Sequence, residues 1–126
     1  MVRILLLVGA GGFLGSVLRF LAQTGVEKIT HHSFPWGTML VNISGSFILG
    51  VLFALSEKQD LLSTEWRLFL AVGFCGGFTT FSAFSLDNMR LLKASSMPEF
   101  FLYSIGSVVA GVVALYIGII LARQFL

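Results

Sequence analysis

The sequence predicts an all-α membrane protein. Four transmembrane helices per chain are expected, the third broken in mid-membrane, with two chains paired as a dual-topology antiparallel homodimer. Three observations carry that expectation. Four long stretches hold no Asp, Glu, Lys or Arg. The third of them carries Gly76-Gly77 at its middle, followed by interleaved phenyl rings and hydroxyls. The charges that remain divide evenly between the two ends of the spans.

Composition sets the solvent. Hydrophobic residues make up 56% of the 126 and charged residues 11%, too little charge to coat a soluble domain of this size. A lipid bilayer is the expected surrounding. The net charge of +2 comes without a basic tract, so nucleic acid is not an expected partner. Cys75 is the single cysteine, which excludes an internal disulfide or a zinc site built from several thiolates. It reads as a small apolar packing residue.

Taken in order, the first uncharged stretch covers residues 4–18 and stays apolar past Arg19 to Ala22. About 20 helical residues cross a hydrocarbon core of roughly 30 Å. A span at 3–23 meets that length once Arg19 snorkels to the headgroups. A cleaved signal peptide is the competing reading, but the run is long and lacks a small-x-small cleavage site. Its glycines at 9, 11, 12 and 15 lack the flanking βαβ pattern of a dinucleotide fingerprint and suit helix packing instead. Residues 31–37, with His31, His32 and Pro35, form a turn, and Trp36 anchors the second span, 36–56, at the interface. Residues 57–64, with three charges, follow, where Thr64 is the expected cap of the third span, 66–90, and Trp66 its interfacial anchor. Ser96-Met97-Pro98-Glu99 has the form of a capping box opening the fourth span, 98–123. Small residues spaced by four (Gly11 with Gly15, Ser46 with Gly50, Ala114 with Gly118) allow close helix contact in lipid. One four-helix transmembrane domain covers 1–126, without linkers or repeats.

Charge says little about which way up. One side holds Arg3, Lys58, Arg67 and Arg123; the other holds Arg19, Lys28, Arg90 and Lys93. Orientation follows the Lys/Arg imbalance between loops, and this chain has none. Insertion in both orientations is the functional reading; a chance balance of eight charges is the plain one. Four helices also make a bundle too thin to enclose a polar path alone, which favours pairing of inverted copies.

Polar groups inside the spans are costly in lipid and are either bonded or functional. Thr38, Asn42 and Ser46 share one face of the second span. Thr79, Thr80, Ser82 and Ser85 lie in the third, and Tyr103, Ser104 and Ser107 in the fourth. No acid or base accompanies them inside the uncharged stretches, so catalysis is not expected. Hydroxyls and an amide donate hydrogen bonds without fixed charge, and phenyl edges are electropositive. Together they suit an anion, though interhelical bonding and ring packing serve the same residues. Stripping water from even a carboxylate-sized ion costs on the order of 20 kcal/mol by the idealised Born estimate. Closely spaced donors could replace that shell stepwise. A break at Gly76-Gly77 would free backbone carbonyls for a monovalent cation where two inverted copies cross.

At this point the sequence resembles the Fluc fluoride channels, also called CrcB proteins. The likeness runs through all 126 residues. It rests on Gly12-x-x-Gly15-x-x-x-Arg19, on Gly37-Thr38-x-x-Val41-Asn42, and on Gly73-x-x-Gly76-Gly77-x-Thr79-Thr80-Phe81-Ser82-x-Phe84-Ser85. The resemblance implies an antiparallel homodimer in the bacterial plasma (inner) membrane, with two fluoride pores and a central structural Na⁺. It implies passive fluoride export that limits toxicity. Phe81 and Phe84 match the pore phenylalanines, Asn42 the pore asparagine and Ser107 a pore serine, with Tyr103 near the pore. Gly76 and Thr79 match the positions whose carbonyls hold Na⁺, and Arg19 the arginine near the vestibule. Thr38, Thr80, Ser82 and Ser85 fit the polar track. Ala83 and Gly111 stand where many relatives carry hydroxyls, which implies a sparser track.

Two rivals come from other classes. A small dual-topology drug exporter would need an acid within the first span, and residues 4–22 have none. A non-transporting scaffold protein would use the same polar groups as glue between helices.

Overall fold

The computed structural model describes residues 1–30, 33–58 and 61–125, and the chain there is almost entirely helical. Helix α1 is Val2–Thr30 and α2 is Trp36–Glu57. Helix α3 covers 64–78, α4 is Phe81–Lys93 and α5 is Met97–Gln124. Among the described residues, four segments are long and apolar enough to cross a membrane: Val2–Thr30, Trp36–Glu57, Thr64–Lys93 and Met97–Gln124. Helices α3 and α4 together make the third. His31, His32 and Asp60 lie outside the described residues, and with them part of the turn expected at 31–37.

Helix ends depart from the sequence expectation in two places. Ser63 rather than Thr64 caps α3: its backbone is extended (φ −67°, ψ 160°), and its hydroxyl accepts from the Trp66 N–H at 3.2 Å. Thr64 is already inside the first helical turn. The capping box at 96–99 does not form, because Ser96 has ψ 67° and its side chain makes no cap bond. Its backbone closes the preceding helix instead. Ser95 is left-handed at φ 56°, and the Ser96 and Ser95 N–H groups bond to the Leu91 and Leu92 carbonyls at 3.0 and 3.1 Å. This is the Schellman arrangement, with serine where glycine is usual.

Two helix pairs make most of the contacts: α1 packs on α3, and α2 packs on α5. Glycine sets both separations. A Cβ at Gly11 would run into the Phe69 carbonyl and one at Gly15 into that of Phe74. From the other side, a Cβ at Gly73 would stand 2.8 Å from the Val8 oxygen, and one at Gly77 2.5 Å from that of Gly12. Between α2 and α5 the same role falls to Gly50 and Gly118, which face the Leu115 and Phe47 carbonyls. Backbone therefore meets backbone, the form of helix association available when lipid removes the hydrophobic drive.

The break in the third span is present but displaced. Gly76 and Gly77 are helical, within Gly76–Phe78, and the extended residues are Thr79 (φ −87°, ψ 154°) and Thr80 (φ −150°, ψ 118°). Gly77 is where it is because α1 presses on it, while the interruption falls where hydroxyls can cap what it exposes. Before the break, Leu68–Cys75 is wound as a π-helix. Cys75 is buried, as a packing residue should be.

Ion pairs tie the helices at one end. Arg3 meets Glu65 and Arg123 meets Glu57, each at 2.8 Å, joining α1 to α3 and α5 to α2. Few large side chains are buried; Phe13, Leu102 and Val112 are among many apolar residues left exposed for lipid or another chain.

Candidate ion pathway at the helix break

Interrupting a helix in mid-membrane leaves N–H and C=O groups that water cannot satisfy. Here side chains meet most of that demand. The Asn42 Nδ2 donates to the Thr80 carbonyl at 3.1 Å, and its Oδ1 accepts from the Thr80 N–H at 2.7 Å. Thr80 in turn caps α4, its hydroxyl accepting from the Ala83 N–H at 3.1 Å. On the α3 side, the Thr79 N–H and Oγ1 both donate to the Cys75 carbonyl, at 3.0 and 2.8 Å. The Arg19 side chain, expected to reach for the headgroups, turns across to α3 instead. Its Nε donates to the Gly77 carbonyl at 3.0 Å.

These bonds leave two carbonyls conspicuous. In an unbroken helix the Gly76 carbonyl would accept from the Thr80 N–H, and Thr79 from Ala83. Asn42 has taken the first donor and the Thr80 hydroxyl the second. Gly76 and Thr79 are thus deprived of their helical partners, and both line the cavity beside the break. Carbonyl oxygens without a helical donor are the kind of ligand a hard monovalent cation takes, and Gly76 and Thr79 offer two that would fit the Na⁺ the resemblance implied.

That cavity, of about 360 Å³, runs between α2, α3, α4 and α5. It gathers Asn42, Thr80, Phe81, Phe84 and Ser107 with the two carbonyl residues, and Ser46 and Gly111 also line it. The Phe81 and Phe84 centroids are 5.8 Å apart at 41°. Phe81 is 79% exposed, too open to be a core residue of the single chain. Ser107 is the reverse: its hydroxyl is buried and has no hydrogen-bond partner among the described residues. Asn42 uses one of its two N–H bonds on Thr80, and its second is a further donor at the cavity wall.

Other expected site residues lie beside the cavity rather than on it. Tyr103 is fully buried, its ring 5.1 Å from that of Phe84 and its hydroxyl donating to the Asp87 carboxylate at 3.1 Å. Thr38 is buried and accepts from the Gln23 amide at 3.1 Å. The Ser82 hydroxyl bonds with that of Thr80 at 3.1 Å, and Ser85 is exposed on α4. Sequence reasoning missed Asp87, Asn88 and Gln23. The Asn88 Oδ1 accepts from the Ser104 hydroxyl at 2.7 Å, so Asp87 and Asn88 together pin α4 to α5. A signal existed: Asp87 and Asn88 follow directly on the uncharged stretch 68–86.

Residues 6–119 match the family model described as "CrcB-like protein, Camphor Resistance (CrcB)". A fluoride-specific ion channel FluC of Chlorobium luteolum is 48% identical over 120 residues, 95% of this chain and 92% of its own. The protein of that name from Leptospira interrogans is 40% identical over 121 residues, covering 96% and 95%. Another, from Azobacteroides pseudotrichonymphae, is 42% identical over 125 residues, covering 99% and 100%.

Proposed function

We infer the activity from one premise: the chain belongs to the CrcB-like family. It is a multi-pass membrane protein and a fluoride ion channel, not an enzyme. One observation in the molecule carries this reading furthest. At the break, uncharged donors and phenyl rings meet around one cavity, with the unpartnered Ser107 hydroxyl among them. Such a lining stabilises an anion without binding it as a fixed cation would.

The finer proposal is passive fluoride efflux through an antiparallel homodimer in the bacterial inner membrane, lowering intracellular fluoride toxicity. Its support is the even split of Lys and Arg, the thinness of one bundle, and the exposure of Phe81. A Cβ on Gly76 would meet nothing within 4 Å, room that a second chain could use. In this proposal Asn42, Phe81, Phe84 and Ser107 conduct. Thr80 and Ser82 extend the track, Ser85 ends it, and Thr38 and Tyr103 support it from behind. Gly76 and Thr79 would offer their carbonyls to a structural Na⁺ at the dimer centre, where the ion would offset converging oxygen dipoles.

Liposomes loaded with fluoride and holding purified protein test the reading. Fluoride efflux well above protein-free vesicles is expected, with chloride retained under the same gradient. Background fluoride efflux from folded protein would reject it. Coupled uptake of a cationic drug would favour the exporter, but the acid in α1, Glu27, is exposed near the helix end rather than set in mid-span.

A further inference from the structure

We propose that Arg19 is a positioning residue: it caps the severed end of α3 through its Nε and so fixes the backbone on which the pore is built. The proposal rests on the channel reading only for its effect on flux. Arg19 lies in α1, which otherwise meets α3 mainly through backbone against glycine, with the Arg3–Glu65 ion pair at one end. Its Nε donates to the Gly77 carbonyl at 3.0 Å. In a continuous helix that carbonyl would accept from the Phe81 N–H, which the extended residues Thr79 and Thr80 carry away. A C-terminal carbonyl in lipid needs such a donor, and a cation there also suits the negative end of the helix dipole.

The choice of carbonyl matters. Gly77 lies between Gly76 and Thr79, whose helical donors have been diverted. By taking the Gly77 oxygen toward α1, Arg19 divides the broken end. One carbonyl is taken by α1, and Gly76 and Thr79, both in the cavity lining, keep theirs without a helical donor. Asn42 performs the matching task on the far side of the break, through Thr80. The interruption is thus held from α1 and from α2, one bond set on each side. In this role the guanidinium acts through its hydrogen bond rather than as a lure drawing anions to a vestibule.

The atom that makes the bond allows the two roles to be separated. Glutamine carries its amide nitrogen the same number of bonds from the backbone as the arginine Nε, so Arg19→Gln keeps the donor and removes the charge. Lysine keeps the charge but has a methylene at that position, so Arg19→Lys loses the donor there. Hydrogen–deuterium exchange of the full-length protein, reconstituted in vesicles, reads the cap directly. Exchange across residues 76–83 is expected to quicken about tenfold or more in Arg19→Lys and to stay near wild type in Arg19→Gln. Fluoride flux should follow the same order, down about tenfold in the lysine variant and within about threefold of wild type in the glutamine one. The reverse order, with lysine preserving flux and glutamine losing it and its ionic-strength dependence, would overturn the proposal in favour of charge. Equal exchange in all three proteins would overturn it as well. So would equal quickening in both variants, since the bond alone would then not suffice. A wild type without fluoride flux would count against the channel reading, while the exchange pattern would still judge the cap.

Discussion

The two halves of the third span are held in place by different forces. Helix α3 lies against α1 through backbone contacts, with Gly11 and Gly15 on one side and Gly73 and Gly77 on the other. Helix α4, across the break, buries only Leu91 and is fixed by polar bonds: Asn42 to Thr80, Tyr103 to Asp87, Ser104 to Asn88. The first half is set by shape, which fails abruptly when an atom is added. The second is set by discrete bonds, which fail one at a time. A pore wall benefits from the second kind, since its donors must stay near the bonding position without being packed out of reach.

Substitutions can break this contrast, beginning with the shape-set half. Gly15→Val would drive its side chain into the Phe74 carbonyl, a backbone obstacle that no rotamer relieves. A loss of about 3 kcal/mol or more is expected, read as failure to recover folded protein after mild heating. A stable variant would show that the seam is looser than described. Next comes Asn42→Ala, which leaves the Thr80 N–H and carbonyl both unpaired. A cost of about 2 kcal/mol or more is expected, with fluoride flux falling steeply and faster exchange confined to the break. Ser104→Ala should be mildest. One neutral bond to Asn88 is lost, worth about 1 kcal/mol, visible as a small drop in thermal midpoint with flux nearly intact. Should the last two substitutions prove equal, the Asn42 clamp would be no more than another surface bond.

What could be read from the sequence follows the same division. The four apolar segments were legible because charge is excluded from lipid over a fixed length. The existence of a break was legible too, from glycines and hydroxyls gathered in one span. Its place was not. Gly76-Gly77 carries the local signature of a weak point, yet Gly77 is there for contact with Gly12, and the chain opens two residues later. What decides the position is Asn42, which is 38 residues away and bonds to Thr80 only once α2 and the third span lie side by side. The destination of Arg19 was hidden for the same reason. Phe81, Phe84 and Ser107 were singled out by the family resemblance, since rings and hydroxyls in an apolar span serve packing and interhelical bonding equally well, and all three line the cavity. Asp87 was marked by its place directly after the uncharged stretch, but its bond to Tyr103 was not, because the partner comes from another helix.

The wide turns at Leu68–Cys75 carry an implication for how this chain can vary. They act as an angular offset: whatever follows is rotated as a block, and the glycines facing α1 and the oxygens facing the cavity depend on that common phase. Deleting a single residue there would swing the rest by about 100°. Swaps of one apolar side chain for another should therefore persist in this stretch, while its length should be held constant.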